Sequence, residues 1–225
     1  MTVNRRLAVA VMTMVAVVFG LVTGAQALPE FFSTGNVTFT GTNLSPPVIK
    51  AKNLGIEGTI KCEKATMGGT AINKTMEVQT MVISFSGKCE QTIGSSKSTC
   101  SEPITTPSLV GTLGYIKEIP SLPVGLLLKP KSGLEILEPI CGGDVTELQG
   151  EVVGEFLTGS INKSSTKLTV VLGCSGVKQN VTTFLLLAGA FMSGVNPEVT
   201  GFFGGEACLS VIEELTFATN VEIKG

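Results

Sequence analysis

Glu147, Glu151 and Glu155 recur at every fourth residue of a segment that otherwise alternates in the manner of a strand. A row of carboxylates suits acid–base chemistry, or a weak contact to a divalent cation or cell wall. On a strand, however, residues four apart lie ~13 Å from one another. A glycoside hydrolase holds its two carboxyls about 5–10 Å apart. The stripe by itself therefore reads as a solvated sheet face, and a carboxylate-dependent hydrolase would need a second glutamate brought in from another strand.

The remaining candidates for chemistry are thinner. The chain has no histidine, which removes Ser-His-Asp and Cys-His catalysis. Asp144 is the sole aspartate, so calcium loops built on several Asp ligands are excluded. With no CxxC spacing and no histidine, a zinc site is excluded too, and no cofactor is expected. Lys163 beside Ser164 and Ser165 has the residue types of a Ser-Lys dyad, but lysine next to serine is common on β surfaces. The glycine-rich piece GFFGGEAC, Gly201 to Cys208, lacks the spacing of a phosphate loop. Its Phe202-Phe203 reads more readily as a buried turn than as an aromatic platform for a carbohydrate. Asn-x-Ser/Thr triplets at Asn36, Asn43, Asn73, Asn162 and Asn180 mark glycan acceptors only in a eukaryotic secretory pathway. Otherwise they are the Asn and Thr of β turns and surfaces.

Cysteine chemistry is more telling. All six cysteines (Cys62, Cys89, Cys100, Cys141, Cys174 and Cys208) follow the N-terminal segment. That segment has a positive start at Arg5-Arg6, an apolar run from Leu7 to Val22 and a small-x-small site at Ala25-Gln26-Ala27. These are the three parts of a secretory signal peptide. The apolar run of about 16 residues is shorter than the roughly 17–25 of a spanning helix. Cleavage is thus expected after residue 27, leaving a secreted domain over 28–225 with no further membrane span. An even number of cysteines in an exported chain implies disulfides. The short polar segment EQTIGSSKST between Cys89 and Cys100 favours that pair, with Cys174–Cys208 and Cys62–Cys141 completing the set. The chain carries a formal charge of −2 and becomes more acidic once Arg5 and Arg6, its only arginines, leave. No basic cluster remains, so nucleic-acid binding is excluded.

The elements that must position these residues are strands. Beyond the signal no stretch of ten or more residues keeps a 3.6-residue apolar period, and Val, Ile, Thr and Gly are frequent. Strands are expected at Asn36 to Thr40, Val48 to Ala51 and Gly55 to Cys62. In Met76 to Phe85, Met76 and Val78 share one face while Met81, Ile83 and Phe85 share the other. Strand side chains alternate strictly, so the switch near Thr80 predicts a bulge or burial on both sides. Ser108 to Ile116 and Leu122 to Lys129 read as arms of a hairpin across the KEIPS linker, and Leu126-Leu127-Leu128 as burial on both faces. Leu134 to Cys141 follows. Thr146 to Phe156 carries the glutamate stripe opposite Leu148, Val152 and Phe156, as a half-solvated strand. Lys167 to Leu172 turns Leu168, Val170 and Leu172 inward, and Phe184 to Met192 reads as a buried strand. The C-terminal segment keeps period two through Leu209, Val211, Leu215, Phe217, Val221 and Ile223, as one long strand or two with a bend at Asn220. A weak repeat links INKT (Ile72 to Thr75), leading to GKC at Gly87 to Cys89, with INKS (Ile161 to Ser164), leading to GC at Gly173-Cys174. It suggests two half-domains divided near residue 142.

The signal segment, the block ending GKCE, and GTLGYI (Gly111 to Ile116), VGLLLKP (Val124 to Pro130), GEVVGEF (Gly150 to Phe156) and INKSSTKLTVVL (Ile161 to Leu172) together resemble a group of exported β-rich proteins of high-GC Gram-positive bacteria. The resemblance covers most of residues 28–225. It implies an extracytoplasmic location and a β-rich fold, and supplies no activity, ligand or catalytic residue. The expectation is an all-β, disulfide-stabilised chain, either a β-sandwich or two packed barrel-like sheets with an internal duplication. Its expected role is a non-enzymatic binding or structural module at the cell envelope, with a cell-wall or extracellular glycan as partner. A secreted glycoside-type hydrolase is the competing expectation.

Overall fold

The period-two alternation of the sequence becomes an all-β structure, with no helix among the described residues. The computed structural model describes residues 28–53, 56–115, 123–133, 135–145, 148–157, 161–173, 199–201 and 205–224. The signal segment, the KEIPS linker, Cys174, Asn180, Phe184 to Met192 and Phe202-Phe203 lie outside them. The strands in the first half are β1 (Glu30–Phe32), β2 (Val37–Asn43), β3 (Val48–Asn53), β4 (Ile56–Lys61), β5 (Lys64–Ala71), β6 (Glu77–Ser86), β7 (Glu90–Ile93), β8 (Ser96–Thr99), β9 (Ile104–Thr105) and β10 (Leu109–Tyr115). The second half adds β11 (Val124–Pro130), β12 (Glu135–Leu137), β13 (Ile140–Cys141), β14 (Asp144–Val145), β15 (Leu148–Gly150), β16 (Val152–Phe156), β17 (Ser165–Leu172), β18 (Val199–Gly201) and β19 (Gly205–Lys224).

Eight of these strands close into an antiparallel barrel in the order β2–β5–β6–β10–β11–β16–β17–β19 and back to β2. Strands adjacent in the barrel follow one another along the chain, and the segments between them form a second sheet. Its order is β12–β15–β18–β19–β3–β4–β7–β8. The two ends of this sheet are tied together just past β8. Ser101 N–H donates to Ile140 O (2.8 Å), Gly142 N–H donates to Thr99 O (3.0 Å), and a Cys100–Cys141 disulfide sits between. β19 belongs to both sheets, pairing with β18 and β3 at its start and with β17 and β2 further on. The expectation of barrel-like sheets describes this architecture; a sandwich does not.

Inside the barrel the apolar residues of every strand meet, among them Phe85, Phe156, Met81, Leu109, Leu126 and Leu168, all at most 2% exposed. Phe39 and Phe217 face each other across β2 and β19 with ring centroids 5.2 Å apart. The expected switch in β6 is a bulge. Gly68 pairs with Val82 but Thr70 pairs with Gln79, and Thr80 takes φ +51°. The extra residue puts Val78, Met81, Ile83 and Phe85 all on the inner face, where strict alternation would have turned Val78 outward. β11 is buried along Val124–Leu128, as the Leu126-Leu127-Leu128 run implies. β19 is one strand rather than two. Its register against β17 is irregular where Lys167 pairs with Thr216 and Ser165 with Val221, the stretch that contains Asn220.

Both INK segments are turns between consecutive barrel strands at the same end, β5 to β6 and β16 to β17. Those hairpins stand four strands apart in the ring of eight, so a half-turn about the barrel axis relates them. The backbone differs in detail, with φ +58° at Lys74 and +55° at Asn162. The strand order repeats from β11 onward, whereas Gly142-Gly143 makes the tight turn between β13 and β14.

The cysteine pairing differs from the one expected. Cys62 is bonded to Cys89 and Cys100 to Cys141. Cys208 is also disulfide-bonded, and Cys174, its expected partner, lies outside the described residues. β7 and β8 do bring Cys89 and Cys100 side by side, but Cys100 N–H donates to Cys89 O there (2.9 Å). Facing residues in a hydrogen-bonded site of a ladder stand farther apart than in a non-hydrogen-bonded one. At the latter kind of site Cys62 faces Cys89, since Cys62 N–H donates to Pro47 O and Cys89 N–H to Glu102 Oε1. Cys100 and Cys141 likewise lie between two hydrogen-bonded neighbours. The Cα–Cα separations are 4.1 and 3.8 Å. The disulfides therefore bridge outward from the β7–β8 hairpin instead of closing it.

Peptide mapping of the non-reduced protein should recover the linked pairs Cys62–Cys89 and Cys100–Cys141; a Cys89–Cys100 peptide would overturn this topology. A β-branched residue at positive φ is strained by about 1–2 kcal/mol. Thr80→Gly should therefore raise thermal stability slightly, by about 1 kcal/mol, when melting is followed by circular dichroism.

Candidate functional site

The glutamate stripe does not assemble into a site. Glu147 lies outside the described residues. Glu151 falls in the break between β15 and β16, next to Gly150 at φ +120°. The expected half-solvated strand is therefore two short strands, and Val152, Val153 and Gly154 are all buried. Val153 pairs with Leu127 on the outer side of the barrel wall, and both are buried there. Gly154 has no room for a side chain, because a Cβ would lie 2.7 Å from Val170 Cγ2. Glu155 faces outward, and partial burial raises its pKa above the usual carboxylate value. Ser165 does not pair with Lys163. Its Oγ donates to Lys167 O (2.8 Å) and accepts from Lys167 N–H (3.0 Å), a local turn.

The carboxylate that matters structurally lies outside the glutamate stripe, on β19. Glu213 interrupts the inward series Leu209, Val211, Leu215, Phe217 and is 0% exposed. Neither of its carboxyl oxygens has a hydrogen-bond partner. Burial pushes its pKa up to about 8, so it is mostly the neutral acid at pH 7. Among the described residues, the other buried polar side chains, Thr106 and Gln91, have partners. Thr106 Oγ1 accepts from Ile83 N–H (2.9 Å), and Gln91 Oε1 accepts from Ser98 Oγ (3.3 Å). Space for Glu213 comes from Gly41 on β2, where a Cβ would stand 3.2 Å from Glu213 Oε2 and 2.9 Å from Leu215 Cδ2. The visible signal was a glutamate at an inward position of a period-two run, and it was masked by Glu214 beside it.

Where the barrel meets the second sheet there is an apolar cavity of about 20 Å³, lined by Ile83, Phe85 and Leu109 from the barrel side and by Ile49, Ile136 and Leu148 from the other. That is room for about one water molecule, far below the roughly 300–1,000 Å³ of a small-molecule pocket. Among the described residues no cluster of His, Cys, Asp or Glu has metal-binding geometry.

The outer face of β19, β2, β5 and β6 is built differently. One rank runs Glu214, Thr42, Thr66, Ser84 and Thr105 across neighbouring strands; a second runs Thr216, Thr40, Gly68 and Val82; a third runs Thr38, Thr70 and Gln79. Pleating spaces such side chains about 4.8 Å apart between strands and ~6.7 Å along them. Thr38, Thr40, Thr42, Thr66, Thr105 and Thr216 are all exposed. Ser84 Oγ and Thr105 Oγ1 are 3.0 Å apart. The charge in these ranks, Glu214, is neutralised by Lys167 at 2.6 Å; Lys64 and Glu77 stand at the ends of β5 and β6. This polar-outside, apolar-inside alternation is the reverse of a lipid-embedded barrel. Among the described residues no helix is long and apolar enough to cross a membrane. Two of the Asn-x-Ser/Thr asparagines near this face, Asn43 and Asn73, serve the backbone. Asn43 Nδ2 donates to Ser45 O (2.9 Å) and Glu63 O (3.1 Å), while its Oδ1 accepts from Ala65 N–H (2.9 Å); Asn73 Oδ1 accepts from Ser33 N–H (3.0 Å).

Gly41→Ala should destabilise the protein by roughly 1–3 kcal/mol through overpacking, read as a lower urea midpoint; an unchanged midpoint would contradict the close approach of β2 to Leu215 and Met67. No protein-family model matches the chain, and neither does any curated protein or solved structure.

Proposed function

We propose that the chain is a secreted, non-enzymatic binding module of the cell envelope whose partner is a neutral, hydroxyl-rich glycan. The observation that carries this reading is the ranked Thr/Ser array on the outer face of β19, β2, β5 and β6. A rigid closed barrel holds those hydroxyls in fixed ranks, so less conformational freedom is lost on binding. Each hydroxyl both donates and accepts, which matches the hydroxyls of a sugar chain. The near-absence of net charge on the face favours a neutral polymer over an acidic one. The disulfides fit a chain that folds outside the reducing cytoplasm, which supports secretion. Its interior supports a role through the surface, because the buried acid is sealed and the cavity at the sheet junction is water-sized.

A screen of residues 28–225, with disulfides intact, against insoluble cell-wall polysaccharides and soluble neutral glycans tests this. Binding is expected, without release of reducing ends. The triple variant Thr40→Val, Thr42→Val, Thr66→Val keeps side-chain shape and removes three hydroxyls worth about 1 kcal/mol each. It should weaken binding at least about tenfold with little change in melting temperature. No glycan binding, or equal binding by the triple variant, would sink the reading. Glycan cleavage abolished by a single Glu→Gln change would favour a hydrolase instead.

A further inference from the structure

Glu213 sits where the two sheets exchange strands. β19 pairs with β3 through Ser210 and with β2 from Glu213 onward, while β2 ends its ladder at Asn43 before crossing to β3. At the crossing Leu44 N–H donates to Ile212 O (2.7 Å) and Ile212 N–H to Ser45 Oγ (3.4 Å). Glu213 faces Asn43 on one side and Val170 on the other. Asn43 cannot serve it, because both its amide hydrogens and its carbonyl oxygen are already taken by Ser45, Glu63 and Ala65. The inward residues nearest in register are Phe39 and Gly41 on β2, Leu168, Val170 and Leu172 on β17, and Ala65 and Met67 on β5. None of these ionises. The other inward titratable group on the described barrel strands is Tyr115, at the opposite end beside Val124. Glu214 and Lys167 pair with each other on the outer face, where Glu155 also lies.

The geometry points to a protonation-gated seam: when Glu213 releases its proton to solvent, the β2–β19 ladder around Gly41 to Asn43 opens so that the carboxylate reaches water, and the tie between barrel and second sheet loosens. A sealed ionised carboxylate without a hydrogen bond is far costlier than the neutral acid. Opening falls on the β2 side because that ladder ends two residues beyond Gly41, whereas the β17 ladder continues on both sides of Glu213. The sign follows from linkage. The unfolded chain gives up this proton near the ordinary value of 4.5, the folded chain only at about 8. Stability from this group is therefore fully present below about 4.5, falls as pH rises through that window, and is lost above about 8.

The decisive comparison is between the disulfide-intact protein and Glu213→Gln, a neutral side chain of nearly the same shape, by hydrogen exchange at pH 5, 7 and 9 corrected for intrinsic rates. In the parent, amides of Gly41 to Asn43 and Glu213 to Leu215 should lose protection about tenfold or more from pH 5 to 9, while those of β10 and β11 hold. The Gln variant should show no such selective loss. Parallel profiles in the two proteins, or uniform loss over the whole barrel, would overturn the gate. Should the variant fold poorly, carbon-13 titration of the Glu213 carboxyl in the parent decides: a midpoint well above the ordinary carboxylate range supports the seam, and an ordinary midpoint ends it.

Discussion

β19 is hydrogen-bonded on both flanks along much of its length, and the rest of the molecule depends on that one continuous ladder. Its first residues close the second sheet against β3 and β18, and its middle closes the barrel between β2 and β17. Its end holds β1, with Phe31 opposite Ile223. A strand shared in this way forces the two sheets into one register, because a slip of one residue would turn every inward side chain outward. The carboxyl of Glu213 is tolerated inside this strand only in its neutral form. The same ladder that organises the fold thus also contains the one buried carboxyl without a partner among the described residues.

Around that ladder the chain repeats a simple path. It follows the barrel, leaves to add to the second sheet, and returns beside the strand it left. Neighbouring barrel strands, apart from β2 and β19, therefore follow one another along the chain, while the second sheet gathers pieces from all along it. Two disulfides crosslink this second sheet and its margin. Cys62–Cys89 ties β4 to the start of β7, and Cys100–Cys141 joins segments 41 residues apart at the ends of the second sheet. Each such crosslink removes freedom from the unfolded chain, with a stabilisation of roughly 2–4 kcal/mol.

The packed interior and the patterned exterior divide the molecule's capacities. Inside, the apolar cavity at the sheet junction has room for about one water and the buried acid has no hydrogen-bond partner. Outside, hydroxyls replace charge over much of the β2, β5 and β6 strands, while the second sheet carries Lys50, Lys61 and Glu90. Recognition by such a face draws on many weak bonds in fixed positions, for which a closed barrel is a suitable support.

Local information settled a good part of this. Alternation made the chain all-β, and the break in phase between Val78 and Met81 announced the bulge at Thr80, because a pleated strand cannot keep both on one face without an extra residue. The unbroken Leu126-Leu127-Leu128 run announced a strand buried on both sides. Cysteine partners, the division of the glutamate stripe at Glu151 and the lack of any partner for the Glu213 carboxyl were decided only in three dimensions. Disulfide choice depends on whether facing residues occupy a hydrogen-bonded or a non-hydrogen-bonded site of a ladder, and that is fixed by which strands meet. The state of Glu213 depends on Gly41, Met67 and Asn43, which approach it only once β2 and β19 close the barrel. Nothing in the residues adjoining position 213 carries that contact.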